Sequence, residues 1–227
     1  GLAARINYLA ADRPDIQFSA KEISRWMSKP NKHNWEAMKR MARYLLGASR
    51  VVQKYKWEEA DKRLVTYTDT DWAGCKTTRK STSGGAIMLG THMLKSWATS
   101  QSVIAFSSGE AELYAMTKAA SQTIGMMSMA ADFGERLEGE VRSDASAAIG
   151  IAHRRGLGKV RHIEVQNLWL QEKIADSKLK VSKVAGKENP PDLMTKFLSG
   201  PEVTANLERL GFKMADGRLL TSVQNNL

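Results

Sequence analysis

The spacing of apolar positions changes several times along the chain, and each change marks an element. Residues 5–27 place Ile6, Leu9, Ala10, Ile16, Phe18, Ile23, Trp26 and Met27 at helical intervals on either side of Arg13-Pro14-Asp15, which predicts two short helices around a proline turn. Beyond Ser28-Lys29-Pro30-Asn31, the residues Trp35, Met38, Met41, Ala42, Leu45 and Leu46 predict a third helix ending at Gly47. The period then shortens. Leu64-Val65-Thr66-Tyr67-Thr68 suits a buried strand, and residues 81–90 and 92–99 read as two more strands joined at Gly90-Thr91. Three successive strands without an intervening helix predict an antiparallel meander. Behind Ser107 and Ser108 as caps, Leu113, Met116, Ala119, Ala120, Ile124 and Met127 restore helical spacing up to Gly134. A strand over 140–144, a helix over 145–152, an amphipathic helix from Ile163 to Ile174, an alternating strand over 179–184 and a proline-started helix with Asp192 in its first turn complete the order βββ-α-β-α-α-β-α. From Gly200 onward only Val203, Leu207, Leu210 and Phe212 stand out, with no identifiable chemistry.

Composition narrows the class. A chain of 227 residues can bury a proper core, and its net charge of +10 favours an anionic partner, nucleic acid ahead of an acidic membrane. Four histidines and one cysteine, Cys75, exclude a disulfide framework and a cysteine-rich zinc site and suit a reducing compartment. No run of about 18 apolar residues appears, which argues against a membrane span. The chain starts at Gly1-Leu2 without an initiator Met or a signal-peptide pattern, so it is expected to be a fragment of a longer one. The expected organisation is a helical connection segment over 1–60, an α/β domain over 61–200 and a C-terminal tail over 201–227. Lys39, Arg40 and Arg43 make the polar face of the third helix basic, which suits either a solvated surface or phosphate contacts.

Candidate chemistry lies in the acids. Asp69 and Asp71 end the first strand at i and i+2 and share a face if the strand stays regular that far. Like charges this close suit a divalent cation, because hard carboxylate oxygens are what Mg²⁺ and Mn²⁺ prefer; an Asx turn closing the strand is the simpler account of an isolated pair. Glu110 and Glu112 stand in the first turns of the long helix, where acids complement its dipole, and Glu112 directly precedes the apolar run. Asp144, at a strand-to-helix junction, fits an N-cap as well as a site at a strand end. Asp192 opens the last helix.

Seven stretches, YTDTDWAG, RKSTSGG, KSWATSQ, SSGEAELYAM, SDASAAIGIA, RHIEV and KENPPDLMTKFL, occur in an order and spacing that resemble the ribonuclease H region of copia-type retrotransposon Pol polyproteins, over residues 64–198. The leading RPDIQFSAKEISRWMSKPNKHNWEAMKRMARYLLG resembles the connection that follows the reverse transcriptase in the same polyproteins. This resemblance implies an α/β ribonuclease H-like fold, a mixed five-stranded sheet with three antiparallel strands followed by two parallel ones, flanked by helices and preceded by a helical extension. It implies Asp69, Glu112, Asp144 and Asp192 as catalytic acids, holding Mg²⁺ or Mn²⁺, with two ions bridged by Asp69 that act in hydrolysis of the RNA strand of an RNA–DNA hybrid. Glu110 is the alternative helix acid, Asp71 is expected to be structural and Trp72 a packing residue. Lys80, Ser81, Arg161 and His162, in the matching basic stretches, are the expected substrate contacts. The reverse-transcriptase region is an expected partner, and cytoplasmic virus-like particles are the implied location. Three departures stand out: residues 184–189 lack the histidine that many ribonucleases H carry before the last acidic helix, Ala145 replaces the usual Asn after the third acid, and Gly109 replaces the usual Thr before Glu110. The competing functions are a non-catalytic nucleic-acid-binding connection module and an integrase-like strand-transfer enzyme.

Overall fold

Leu64, Thr66 and Thr68 alternate inward along a nine-residue strand, and the sheet is built outward from it. The computed structural model describes residues 1–59, 61–156, 158 and 167–216. Its elements run α1 (Leu2–Leu9), α2 (Gln17–Ser24), α3 (Lys32–Gly47), β1 (Arg50–Gln53), β2 (Arg63–Asp71), β3 (Thr82–Leu89), β4 (His92–Ser100) and α4 (Ser108–Asp132). They continue with β5 (Glu138–Ser143), α5 (Ser146–His153), α6 (Leu168–Ala175), β6 (Lys180–Lys183), α7 (Asp192–Thr195), α8 (Gly200–Arg209) and β7 (Phe212–Ala215). Five strands form one sheet in the order β4-β3-β2-β5-β6, with β2, β3 and β4 antiparallel and β5 and β6 joining in parallel. This is the ribonuclease H-like arrangement that the motif order implies. No helix of the described residues is long and apolar enough to cross a membrane.

Helix α4 covers one face of the sheet. Its N-terminus is capped by Ser107, whose hydroxyl accepts from the Glu110 amide at 3.2 Å, and its end is turned by Gly134 at φ +84°, a conformation that costs a residue without Cβ little. The helix stripe Leu113, Met116, Ala119 and Ala120 packs on Leu64, Ile87 and Val141, and the buried Thr66 and Thr123 hydroxyls pair at 2.6 Å. The opposite face carries a second apolar cluster, Ala86, Met88 and Met93 from the sheet against Leu193, Met194, Leu207, Leu210 and Phe212.

Three features depart from the sequence pattern. Residues 50–53, expected within the helical segment, form a strand that pairs antiparallel with β7, Arg50 opposite Ala215 and Gln53 opposite Phe212. The tail carries a ten-residue helix, α8, begun by a capping box in which Glu202 accepts from the Ser199 amide at 2.8 Å. The last acidic helix is only four residues long. A strand pair joining residues so far apart leaves little local trace, since each strand is short and its partner lies at the other end of the chain. The capping box was legible in Ser199-Gly200-Pro201-Glu202.

The leading helices are pinned by Asp15, which accepts from Arg13 at 2.6 and 2.9 Å and from the Tyr44 hydroxyl at 2.7 Å. They reach the sheet through Gln17 on Ser96 at 2.8 Å and Lys21 on Thr82 at 2.7 Å. Residues 163–166, expected at the start of α6, lie outside the described residues.

Because Leu210 is fully buried between α8 and the sheet, Leu210→Ala is expected to cost about 2–5 kcal/mol in urea unfolding, as a cavity in a closed core does. The exposed Leu94→Ala should stay within about 0.5 kcal/mol. Equal effects of the two substitutions would mean that the tail does not complete this core.

Candidate active site

Strand β2 delivers Asp69 near its end, opposite Gly84 of β3. A Cβ on Gly84 would lie 2.7 Å from Thr195 Cγ2 and 2.9 Å from Met194 Cβ, so only glycine lets α7 settle this close to the sheet. That approach brings the Thr195 hydroxyl onto Asp69 Oδ2, to which it donates a hydrogen bond. Strand β5 ends at Ser143, and Asp144 follows directly beside Asp69. The turn Gly186–Glu188 passes this carboxylate so closely that a Cβ on Gly186 would stand 2.9 Å from Asp144 Oδ2. Helix α4 contributes Glu112. Oxygens of Asp69, Glu112 and Asp144 all lie within 4.8 Å of one another.

Of the four acids drawn from the sequence, three therefore meet. Asp192, first residue of α7, sits at the edge of the group, bound to Lys196 at 2.7 Å, and its charge is felt by Asp69. Glu110 points elsewhere: it is buried, accepts from the Tyr114 hydroxyl at 2.5 Å and from the Phe106 amide at 2.8 Å, and so secures the helix start. Asp71 is half buried, its carboxylate lying over Gly74. Trp72 is half exposed, with its indole N–H on the Ala105 carbonyl at 3.1 Å. Ser81 is fully buried and accepts from the Ala73 amide at 3.0 Å, while Lys80 beside it is partly exposed. Arg161 and His162 lie outside the described residues.

Gathering carboxylates in a buried place disfavours their charged forms. Burial pushes the Asp69 carboxyl up to about 6, with Asp192 and Asp144 adding to the rise and Thr195 and Lys196 opposing it. Burial likewise pushes Glu112 up to about 8, reinforced by Asp69 and Asp144 and opposed by hydrogen bonds from Thr70. Lys196, which the sequence pattern does not single out, is the cation nearest this problem; burial works against its charge, yet Asp192, Asp69 and Asp144 raise its pKa. A signal for it was present, since Asp192 and Lys196 stand at i and i+4 on one helical stretch.

These residues fit a divalent metal. All three are hard oxygen donors, their spacing is close to the roughly 4 Å that separates opposite oxygens around Mg²⁺, and Glu112 Oε2 is buried with no hydrogen-bond partner among the described residues. A cation would satisfy that oxygen and relieve the repulsion together.

No family model matches the chain. It is 31% identical over 192 residues to the retrovirus-related Pol polyprotein from transposon TNT 1-94 of Nicotiana tabacum, covering 84% of this chain and 14% of that one. It is 28% identical over 206 residues to the retrovirus-related Pol polyprotein from transposon RE1 of Arabidopsis thaliana, covering 88% of this chain and again 14% of the relative. The chain thus spans a small part of the length of these relatives. Among solved structures, LC11-RNase H1, isolated from compost by a metagenomic approach, aligns at 19% identity with a TM-score of 0.42, over 59% of this chain and 93% of that chain.

The raised carboxyls carry a pH dependence. Asp69 and Glu112 keep protons in the folded chain that the unfolded chain has lost above its ordinary values of 3.8 and 4.5. Their contribution to stability is complete in acid and lost as pH rises through about 6 and about 8. The metal-free protein is therefore expected to melt at progressively lower temperature from pH 5 to pH 8, with Glu112→Gln flattening the decline and Mg²⁺ raising the midpoint more at pH 8 than at pH 5. A wild-type decline that Glu112→Gln leaves unchanged would show that this carboxyl does not drive it.

Proposed function

We propose that this chain is a piece of a retrovirus-related Pol polyprotein of the copia type, as its 28–31% identity to two such polyproteins supports, and that its ribonuclease H-like region is a metal-dependent endonuclease that hydrolyses the RNA strand of RNA–DNA hybrids. The observation that carries this reading is the convergence of Asp69, Glu112 and Asp144 from β2, α4 and the end of β5. Asp69, Glu112 and Asp144 would hold Mg²⁺ or Mn²⁺, with Asp192 at the rim available to a second ion once released from Lys196. Such ions, when bound, lower the pKa of a bound water, so that it is more readily deprotonated, and supply a Lewis acid at the departing 3′ oxygen.

The chain's own residues do the positioning. Thr195 orients one oxygen of Asp69 and leaves the other free to turn toward Glu112 and Asp144. Lys196, partly exposed beside the acids, is placed to meet a phosphate of the scissile strand. Gly186, in the turn where many ribonucleases H carry a histidine, lets that turn lie against Asp144 with no side chain between them. Discrimination between RNA and DNA would rest on contacts to the 2′-hydroxyl and on the shape of the hybrid, with no need to read bases. The reverse-transcriptase region of the same polyprotein is the natural neighbour of this activity, since it makes the hybrid.

Incubation of a labelled RNA–DNA hybrid with Mg²⁺ or Mn²⁺ tests the reading. Wild-type protein should cut the RNA strand, and Asp144→Asn should lose several kcal/mol of transition-state stabilisation, about a hundredfold or more in rate. Glu112→Gln should cost far more than Glu110→Gln, and the reverse ranking would move the metal site by two residues along α4. Salt-sensitive hybrid binding without cleavage by any form would favour a connection module that has lost its chemistry.

A further inference from the structure

Asp71 stands at the active-site end of the sheet and has no part in holding metal or capping a helix. It lies two residues past Asp69 on β2, opposite Thr82 of β3, and so on the same face of the strand, about 7 Å further along. Its carboxylate leans over Gly74, where a Cβ would stand 1.6 Å from Oδ2, so it lies there only because residue 74 has none. It is half buried, yet among the described residues no hydrogen bond or ion pair holds it. Burial raises its carboxyl, and Lys196 and then Lys21 oppose the rise, so both ammonium groups are close enough to be felt.

Those two cations are held differently. Lys21, from α2, has a side chain only 11% exposed and every reason to stay: its ammonium lies 2.6 Å from Glu22 Oε1, donates to Thr82 Oγ1 at 2.7 Å and stands 4.5 Å over the Phe18 ring. Lys196 is half exposed and, among the described residues, is ion-paired to Asp192 alone, at 2.7 Å. Beside it a cavity of about 300 Å³ opens between α2, α3 and the chain from α7 to α8, lined by Phe18, Glu22, Arg40, Lys196 and Phe197. An ammonium on a flexible four-carbon stem therefore has room to turn toward α2. Of the carboxylates on that side, Glu22 is already shared by Lys21 at 2.6 Å and Arg25 at 3.2 Å, whereas Asp71 is unclaimed.

The place of Lys196 on Asp192 is contested. Its charge is felt by Asp69 and Asp144 as well, so one ammonium serves three acids. A divalent ion drawn to Asp192 needs the same carboxylate, and two cations crowded on it repel each other. Lys196 is the one with somewhere to go.

We propose that Asp71 is the second seat of Lys196, and that the ammonium crosses from Asp192 to Asp71 when Asp192 turns to a divalent ion. This rests on the reading of the acids as a metal site. Lys196 is then an exchangeable counter-ion, which neutralises the acids until a metal does so and keeps its own charge paired afterwards. Asp71 is a positioning residue, acting on the acids only through Lys196. The leading segment fixes the seat, since Lys21 holds Thr82, the residue directly across the ladder from Asp71.

The test is titration of the metal-stripped 227-residue chain with Mn²⁺ in the absence of nucleic acid, with free Mn²⁺ read by electron paramagnetic resonance. Lys196→Gln is expected to tighten the more weakly held ion about tenfold, because its competitor is gone. Lys196→Arg, whose planar fork grips a carboxylate by two hydrogen bonds, should weaken it instead. Asp71→Asn should weaken it about threefold in the wild-type background and leave it unchanged in Lys196→Gln, since the seat matters only to the lysine. Lys196 is half exposed and Asp71 is bonded to nothing, so circular dichroism should show the variants folded, and the opposite signs at Lys196 test the competition without Asp71. An equal loss from Asp71→Asn in both backgrounds would overturn the proposal, because a carboxylate acting at long range has no need of the lysine. Mn²⁺ binding indifferent to Lys196→Gln would also overturn it, while leaving the metal site standing. Failure of every form to take up Mn²⁺ would overturn the metal reading itself and the proposal with it.

Discussion

The acid cluster depends on one pairing, that of β2 with β5 in parallel. The ladder sets Arg63 opposite Glu138 and Tyr67 opposite Arg142, a constant offset of 75 residues. Carried two residues past the last paired position, the same offset sets Asp69 beside Asp144. A slip of one residue would send one of these carboxylates to the wrong face. Parallel strands cannot be joined by a tight turn and need a crossover; here the chain passes through β3, β4 and then α4, the helix that carries Glu112. Topology and chemistry are thus the same fact: the connection that allows two acids to lie side by side brings the third.

That arrangement works against stability in the metal-free chain. Burial and mutual repulsion push Asp69 and Glu112 upward, and one Glu112 oxygen is left without a partner among the described residues. Thr195 and Lys196 offset part of this by one hydrogen bond and one nearby positive charge. Both come from the short α7 stretch and its C-terminal boundary, which can pack closely only because Gly84 has no side chain. A well-packed apolar substitute would be expected to stabilise the fold, as it does for many buried ionic groups. Strain of this kind is what a site keeps when its groups are meant for a ligand that comes later.

Asp69 and Glu112 were legible in the sequence because each sits where a clear period ends or begins: the strand alternation runs into Asp69, and the apolar helical stripe starts immediately after Glu112. Glu110 stayed open as the alternative helix acid, since both satisfy a helix start, and its contacts with Tyr114 and the Phe106 amide are visible only in the structure. Asp192 was found as an acid, but its ion pair with Lys196 shows only in three dimensions, although the i and i+4 spacing announced it. Gly84 and Gly186 were not legible as site residues, because their role is the side chain they lack. The pairing of β1 with β7 was equally hidden: four-residue strands at opposite ends of the chain satisfy each other and leave no period long enough to read.

The same hidden pairing changes what the ends of the chain mean. Leu207, Leu210 and Phe212 close the second apolar cluster over Ala86, Met88 and Met93, so α8 and β7 complete the core on the face that α4 does not cover. Strand β1 is tied to them, and with it the segment that carries Lys54 and Lys56. A connection before the sheet and a tail after it therefore act as one lid on its second face. The lid's inner surface is apolar where it meets β3 and β4, and cationic where it parts from β2 and β5. That division follows the sequence, with Leu207, Leu210 and Phe212 turned to the apolar cluster and Lys54, Lys56, Arg209 and Lys213 lining the open cleft beside it.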